Sequence, residues 1–313
     1  LIRDTANAYW DLWYAQQALE VNREAHELAE RQLAETQTRV TELGTMARAD
    51  SLRFASEMAT IQEDLTQAES DRRTQAAELG RMMGAEPSEA RSYTAVDETP
   101  SRDVDLTDAE ILEMARHESA ALRELEANLA AAEDRIDVAR DATLPRLDLT
   151  ATLAVGGLWS QSGDDTGSSW DGDPSYSGTV GIELELPFTS ARADANLAET
   201  RIRAESAEVR LEARILQIEA EAINALEQFE TAQARVELTQ RSVEIARELA
   251  EAEQERLRLG TSTAFEVLEA QASLRRTELR HLRALVDQAK AALTLQHLTG
   301  QLLPEFAALT GAL

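Results

Sequence analysis

Reactive chemistry has few footholds in this chain. Its four histidines, at positions 26, 117, 281 and 297, show no metal-ligand spacing, and the sequence has no HExxH motif. Cysteine is absent, which excludes disulfides, thiolate zinc and a thiol nucleophile and is compatible with an oxidising compartment. No GxGxxG or P-loop occurs, and the glycine cluster from Gly156 to Gly181 lacks the strand-to-helix context that phosphate binding needs. The serines of that cluster have no evident histidine partner. What remains is carboxylate: 58 acidic residues, among which Glu266 and Glu269 stand at i, i+3 and so share one face of a helix. A general acid needs a burying pocket, and none is visible in the sequence, so these carboxylates read as a solvated face or a cation-tolerant one. No enzyme, cofactor or metal site is expected.

The formal net charge of -27 leaves no basic face to neutralise phosphate, which excludes nucleic acid as a partner. Charged residues make up 28% of the chain and aromatics only 4%, a mixture dominated by Ala, Leu, Glu, Arg and Gln that suits long packed helices. Glycine and proline mark where those helices stop. Seven of the 13 glycines lie between Gly156 and Gly181, whereas Pro187 to Gly260 has neither residue type between its ends. Such a stretch can be one helix, at 1.5 Å per residue roughly 100 Å long, so the chain reads as rod-like. No run of 18 apolar residues is present, so no transmembrane helix is expected. The chain opens inside what already reads as helix, the pattern of a truncated or processed start.

The chain also repeats itself. An offset of 216 carries Leu43-Gly44-Thr45 onto Leu259-Gly260-Thr261, Asp50 onto Glu266 and Gly84 onto Gly300; upstream an offset of 217 carries Leu12 onto Phe229 and Leu19 onto Val236. Each copy reads as helix, glycine turn, helix, a long antiparallel hairpin. Steps of three and four give the seam Phe229, Ala232, Val236, Thr239, Val243, Ala246, Ala250, Glu253, Leu257 in the second copy, and Leu12, Ala15, Leu19, Asn22, His26, Ala29 onward in the first. The second return arm carries two seams, one through Val267, Ala270, Leu274, Ala284 and Leu295, the other through Leu279, Leu282, Val286, Ala289 and Leu293. Two stripes need two neighbours, which predicts lateral packing of the copies against each other or of several chains. Between the copies, Glu86 to Asp105 reads as a non-helical connector. A capping box at Thr107–Glu110 then starts a helix with a break near Ser119 that runs to Leu144.

After Pro145 the period changes to two. Leu147, Leu149, Ala151, Leu153 and Val155 alternate with polar or small residues, as do Val180, Ile182, Leu184 and Leu186. These predict two strands of about 10 residues, joined by a loop from Leu158 to Tyr176. Two readings fit: a half-buried pair covering a helix, or a piece of transmembrane β-barrel, whose strands need about 9 to 11 residues with one apolar face. Trp159, Trp170, Tyr176 and Phe188 lie where interfacial aromatics belong. The barrel reading requires further strands, because open edges do not persist in lipid.

Taken in order, these pieces resemble the outer-membrane efflux protein family, the TolC-like channels. The resemblance rests on Leu144-Pro145-Arg146-Leu147 entering a strand, Leu186-Pro187-Phe188 leaving one, and Arg256-Leu257-Arg258-Leu259-Gly260-Thr261 followed by Glu266-Val267-Leu268-Glu269-Ala270. It implies a mainly α fold of two coiled-coil hairpins with one inserted β-hairpin. The corresponding segments are a first hairpin over 1–84, a connector over 85–119, a long helix over 120–144, a barrel hairpin with an extracellular loop over 145–189, a second hairpin over 190–300 and a tail over 301–313. It further implies a homotrimeric exit duct in the outer membrane of a Gram-negative bacterium, with a large periplasmic portion, working with a periplasmic adaptor and an inner-membrane transporter. Leu147, Leu149, Leu153, Val155, Val180, Ile182, Leu184 and Leu186 would face outer-membrane lipid. Gly44, Thr45, Gly260, Thr261 and Ser262 would form the tips that meet the adaptor, and Asp50, Glu266 and Glu269 would line the entrance. A tip position that carries arginine in the best-known relative is Ser262 here. By comparison with the second copy, the first is expected to have a leading helix and β-hairpin before Leu1, so three copies of this chain supply six strands instead of twelve. The alternative reading is a soluble periplasmic coiled-coil adaptor or scaffold.

Overall fold

The structure, a computed structural model, describes residues 2–41, 47–96, 107–156, 175–185, 191–302 and 304. The described elements are α1 (Ile2–Thr41), α2 (Arg48–Met83), α3 (Pro87–Ala90), α4 (Asp108–Glu118), α5 (Ala120–Asp141), β1 (Arg146–Gly156), β2 (Ser175–Glu185), α6 (Ala191–Arg258) and α7 (Ala264–Leu298). They form two compact units, residues 1–120 with 216–313, and residues 121–215. The glycine- and proline-free stretch is α6, a single helix of 68 residues.

In the first unit the two copies of the repeat pack on each other within one chain. The α1 seam closes on α2 through Ala8, Leu12, Ala76 and Leu79, with Tyr9, Met82 and Tyr93 against them. One residue along, Trp13 turns to the other flank and is buried with Leu285 and Val286 of α7, where Trp10, Tyr14, Leu282 and Val236 of α6 join it. The two stripes of α7 are thus both used: Val267, Ala270, Ala284 and Leu295 from one, and Val286, Ala289 and Leu293 from the other, are buried. Ion pairs cross the same seam. Asp11 sits 2.6 Å from Lys290 and 3.6 Å from Arg283, while Arg275 reaches Asp64 at 3.2 Å and Glu57 at 3.8 Å. Arg283 also lies 5.5 Å above the ring of Tyr14, a cation–π contact.

Gly84 and Gly300, equivalent in the repeat, both follow their helices with φ near +74° and +73°. The Thr107 box forms as read, with the Thr107 N–H donating to Glu110 at 2.9 Å, and the break at Ser119 is a change to extended backbone at ψ 117°. The connector is not wholly irregular, however. Pro87–Ala90 makes one helical turn, because proline suits the first helical position, where its missing N–H is no loss. That turn packs so close to α2 that a Cβ on Gly80 would fall 2.2 Å from the Ala90 Cβ.

In the second unit α5 ends at Asp141, three residues before the predicted Leu144, and hydrogen-bonded turns carry the chain to Pro145. The strands are 11 residues each, and β2 starts at Ser175, so Ser175 and Tyr176 belong to the strand and not to the loop. Their antiparallel register sets Leu147 opposite Leu184, Leu149 opposite Ile182 and Val155 opposite Tyr176.

Leu12, at the joint between the helices of the first repeat, is 0% exposed. Leu12→Ala is expected to destabilise the fold by about 2–5 kcal/mol, read as a lower denaturant midpoint in equilibrium unfolding followed by circular dichroism.

Candidate functional site

The second hairpin turns over between α6 and α7, and its geometry comes from five consecutive residues. Gly260 adopts φ +75°, a left-handed conformation that a residue with a Cβ enters only at a cost. That reversal lets the Gly260 N–H donate to the Leu257 carbonyl at 3.1 Å and the Thr261 N–H to that of Arg256 at 2.8 Å, closing the α6 terminus. Thr263 then caps α7. Its side-chain oxygen accepts the Glu266 N–H at 3.3 Å, and the Glu266 carboxylate accepts the Thr263 N–H at 2.8 Å.

The hydroxyl of Ser262 stands between two carboxylates, 2.6 Å from Glu253 Oε2 and 2.9 Å from Glu266 Oε2. Its one proton serves one of them at a time. Arg256 completes the latch by pairing with Glu253 at 2.6 Å and donating to the Thr261 carbonyl at 3.4 Å. These contacts hold the Glu266 carboxyl below the ordinary glutamate range: the Thr263 N–H contributes most, then the Ser262 and Thr263 hydroxyls, with the Arg256 charge adding less.

The residues read from the sequence as one acidic entrance are therefore engaged differently. Glu266 is turned back onto its own helix start. Glu269, one turn on, pairs with Arg276 at 2.9 Å and is largely exposed. Asp50 lies in the first turn of α2, its N–H donating to the Ala47 carbonyl at 3.0 Å and its carboxylate 3.9 Å from Arg53. Gly44 and Thr45 lie outside the described residues. The Glu253–Arg256–Ser262 latch did not emerge from sequence reading, although Thr263–Glu266 carries the same T-x-x-E signature as Thr107–Glu110.

The β-hairpin presents a second surface. Its register gathers Leu147, Leu149, Ala151, Leu153 and Val155 with Tyr176, Val180, Ile182 and Leu184 on one face, and the opposite face carries Asp148, Thr150, Thr152, Thr179, Glu183 and Glu185. None of the apolar set is covered: Leu149 is 73% exposed, Leu153 78% and Ile182 75%. A half-buried pair packed on a helix would hide that side, and here it stands exposed. Leu186 lies outside the described residues. No described helix is long and apolar enough to cross a membrane.

Comparison with known proteins agrees with this arrangement. The outer membrane efflux protein family matches residues 111–301, well over half of the chain. The chain belongs to the outer membrane efflux protein family. Solved structures of similar fold include the outer membrane protein VceC of Vibrio cholerae, at 19% identity and TM-score 0.75 over 95% of this chain and 69% of that one. The outer membrane channel MtrE of Neisseria gonorrhoeae aligns at 20% identity and TM-score 0.71, over 96% of this chain and 66% of MtrE. For the outer membrane channel CmeC of Campylobacter jejuni the values are 17% and 0.76, over 96% of this chain and 62% of CmeC. The chain thus spans about two thirds of the length of these channels. Comparison with curated proteins gives no match. As a member of the outer membrane efflux protein family, the chain has the mainly α, TolC-like fold seen in these solved channel structures.

The cap makes the tip sensitive to one side chain and to acid. Thr263→Ala is expected to cost about 0.5–2 kcal/mol, seen as faster amide hydrogen exchange over residues 264–267. Because the folded-state pKa of Glu266 is depressed, its contribution is complete above the ordinary value of 4.5 and disappears as the pH falls through the lower folded value. Protection factors at the same amides, corrected for the intrinsic pH dependence of exchange, should fall only as the pH drops through that range, and Thr263→Ala should flatten the dependence.

Proposed function

We propose that this protein is a passive exit duct of a tripartite efflux or type I secretion system. Copies of the chain associate as a trimer, the β-hairpins contribute to an outer-membrane barrel and the helical hairpins to a periplasmic α-barrel. An inner-membrane transporter supplies the energy, and a periplasmic adaptor meets the tips at Gly44, Thr45, Gly260, Thr261 and Ser262. The observation that carries this reading is the β-hairpin: two 11-residue strands, one apolar and exposed face, one polar face, and no third strand beside either of them among the described residues. In lipid every backbone polar group needs a partner, so the edges call for strands from further segments or copies, closing a barrel with its polar face toward the lumen. A soluble adaptor or scaffold has no use for such a face in water.

Native mass spectrometry of the full-length protein in detergent is expected to give a trimer, and a stable monomer would overturn the proposal. In planar bilayers the channel is expected to prefer cations. Replacing Glu266 and Glu269 by Gln together should lower that preference and weaken block by divalent cations, since both residues are assigned to the entrance. Unchanged selectivity would remove them from the conduction path.

A further inference from the structure

Within the first unit, α1, α2, α6 and α7 leave between them a cavity of about 400 Å³, in the size range of small-molecule sites. Its inner wall is apolar and buried, formed by Ala29, Phe54, Ile61 and Ala250. Close-packed helices do not ordinarily leave a gap of this size. On the α7 side the wall includes Gln271, whose Nε2 is buried and has no acceptor among the described residues. Buried amide donors are ordinarily satisfied, so this one marks a place where an acceptor oxygen belongs.

Charge narrows the class of molecule. Four carboxylates border the cavity, Glu24, Glu57, Glu251 and Glu278, against two guanidinium groups, Arg247 and Arg275. Both cations are already engaged, Arg247 with Glu278 at 3.0 Å and Arg275 with Glu57 at 3.8 Å. An anion entering here meets net negative potential with no uncommitted guanidinium.

We propose that this cavity is a binding site for a neutral or cationic amphiphile, with an aromatic or alicyclic body against Phe54 and Ile61 and an acceptor oxygen on Gln271 Nε2. Water alone could accept from the amide, but it leaves the apolar wall without dispersion contacts. A molecule seated there touches both repeats and ties the two helical hairpins together.

The test uses an uncharged diethylaminocoumarin dye, whose ring carbonyl is the acceptor, titrated into the full-length protein and followed by fluorescence anisotropy against a detergent blank. A single saturable site is expected. Gln271→Leu, which keeps the volume and removes the donor, should weaken it about three- to tenfold. Ala250→Phe, which fills the space, should abolish binding, and a carboxylated coumarin should bind at least about tenfold more weakly than the neutral dye. Circular dichroism confirms that each variant folds. Dye uptake that does not saturate, or that both variants leave unchanged, overturns the proposal. So does a crystal structure at saturating dye with only water at Gln271.

Discussion

The first unit depends on α7 having two buried flanks. A helix with one apolar stripe can complete a hairpin and stop there; α7 meets α1 and α2 on one side and α6 on the other, so removing any neighbour uncovers a stripe. Trp13 is the residue that exploits this. It stands next to Leu12 in sequence, yet the helical turn of about 100° per residue sends Leu12 to α2 and Trp13 to Leu285 and Val286. One pair of adjacent side chains therefore joins a hairpin internally and binds it to the other hairpin. The ion pairs of Asp11 and Arg275 fix which residues of the two repeats face each other, since a shift of one turn would separate each charge from its partner. Partly exposed pairs of this kind contribute little to stability, on the order of 0–1 kcal/mol each, so their role here is alignment more than strength.

The β-hairpin obeys a different constraint, because nothing in its own sheet covers it. In water, a face of nine apolar or aromatic side chains on a sheet with two described strands is an aggregation hazard, and edge strands in soluble proteins are usually blunted by charge, proline or bulges. Here the charges, Arg146, Asp148, Glu183 and Glu185, all belong to the opposite face, and the register runs without a bulge. The sequence therefore does not protect the apolar face from contact. Such a pattern suits the proposed place in an outer-membrane barrel, where that face would meet hydrocarbon and the edges other strands.

Much of this was legible because period and punctuation are local properties. The glycine- and proline-free stretch became one helix, the alternation after Pro145 became paired strands, and the glycines that the repeat offset aligns, Gly84 and Gly300, share a left-handed conformation. What was missed depends on three-dimensional neighbours or on exceptions to local rules. Pro87 looked like a helix breaker and instead opens a turn, because proline is unfavourable only past the first turn. Ser175 and Tyr176 were assigned to the loop because serine, glycine and aspartate dominate the residues before them, and pairing with Val155 and Gly156 overrode composition. Asp11 and Lys290 gave no signal at all: a contact 279 positions apart in sequence is invisible to periodicity.

The tip shows why a residue type and its place in a motif are insufficient to give its role. Glu266 was read as a pore-lining acid, and like charges gathered by several copies would raise its pKa. Within one chain the surroundings act the other way, since a backbone N–H and two hydroxyls lower it. The two effects compose into a simple consequence. A carboxylate whose own chain stabilises the charged form can be brought near equivalent carboxylates and remain ionised at a pH where an unassisted glutamate would begin to take up a proton. Capping and pore chemistry are then not competing assignments for Glu266. The cap both holds α7 in place and keeps the negative charge of Glu266 available for the proposed entrance.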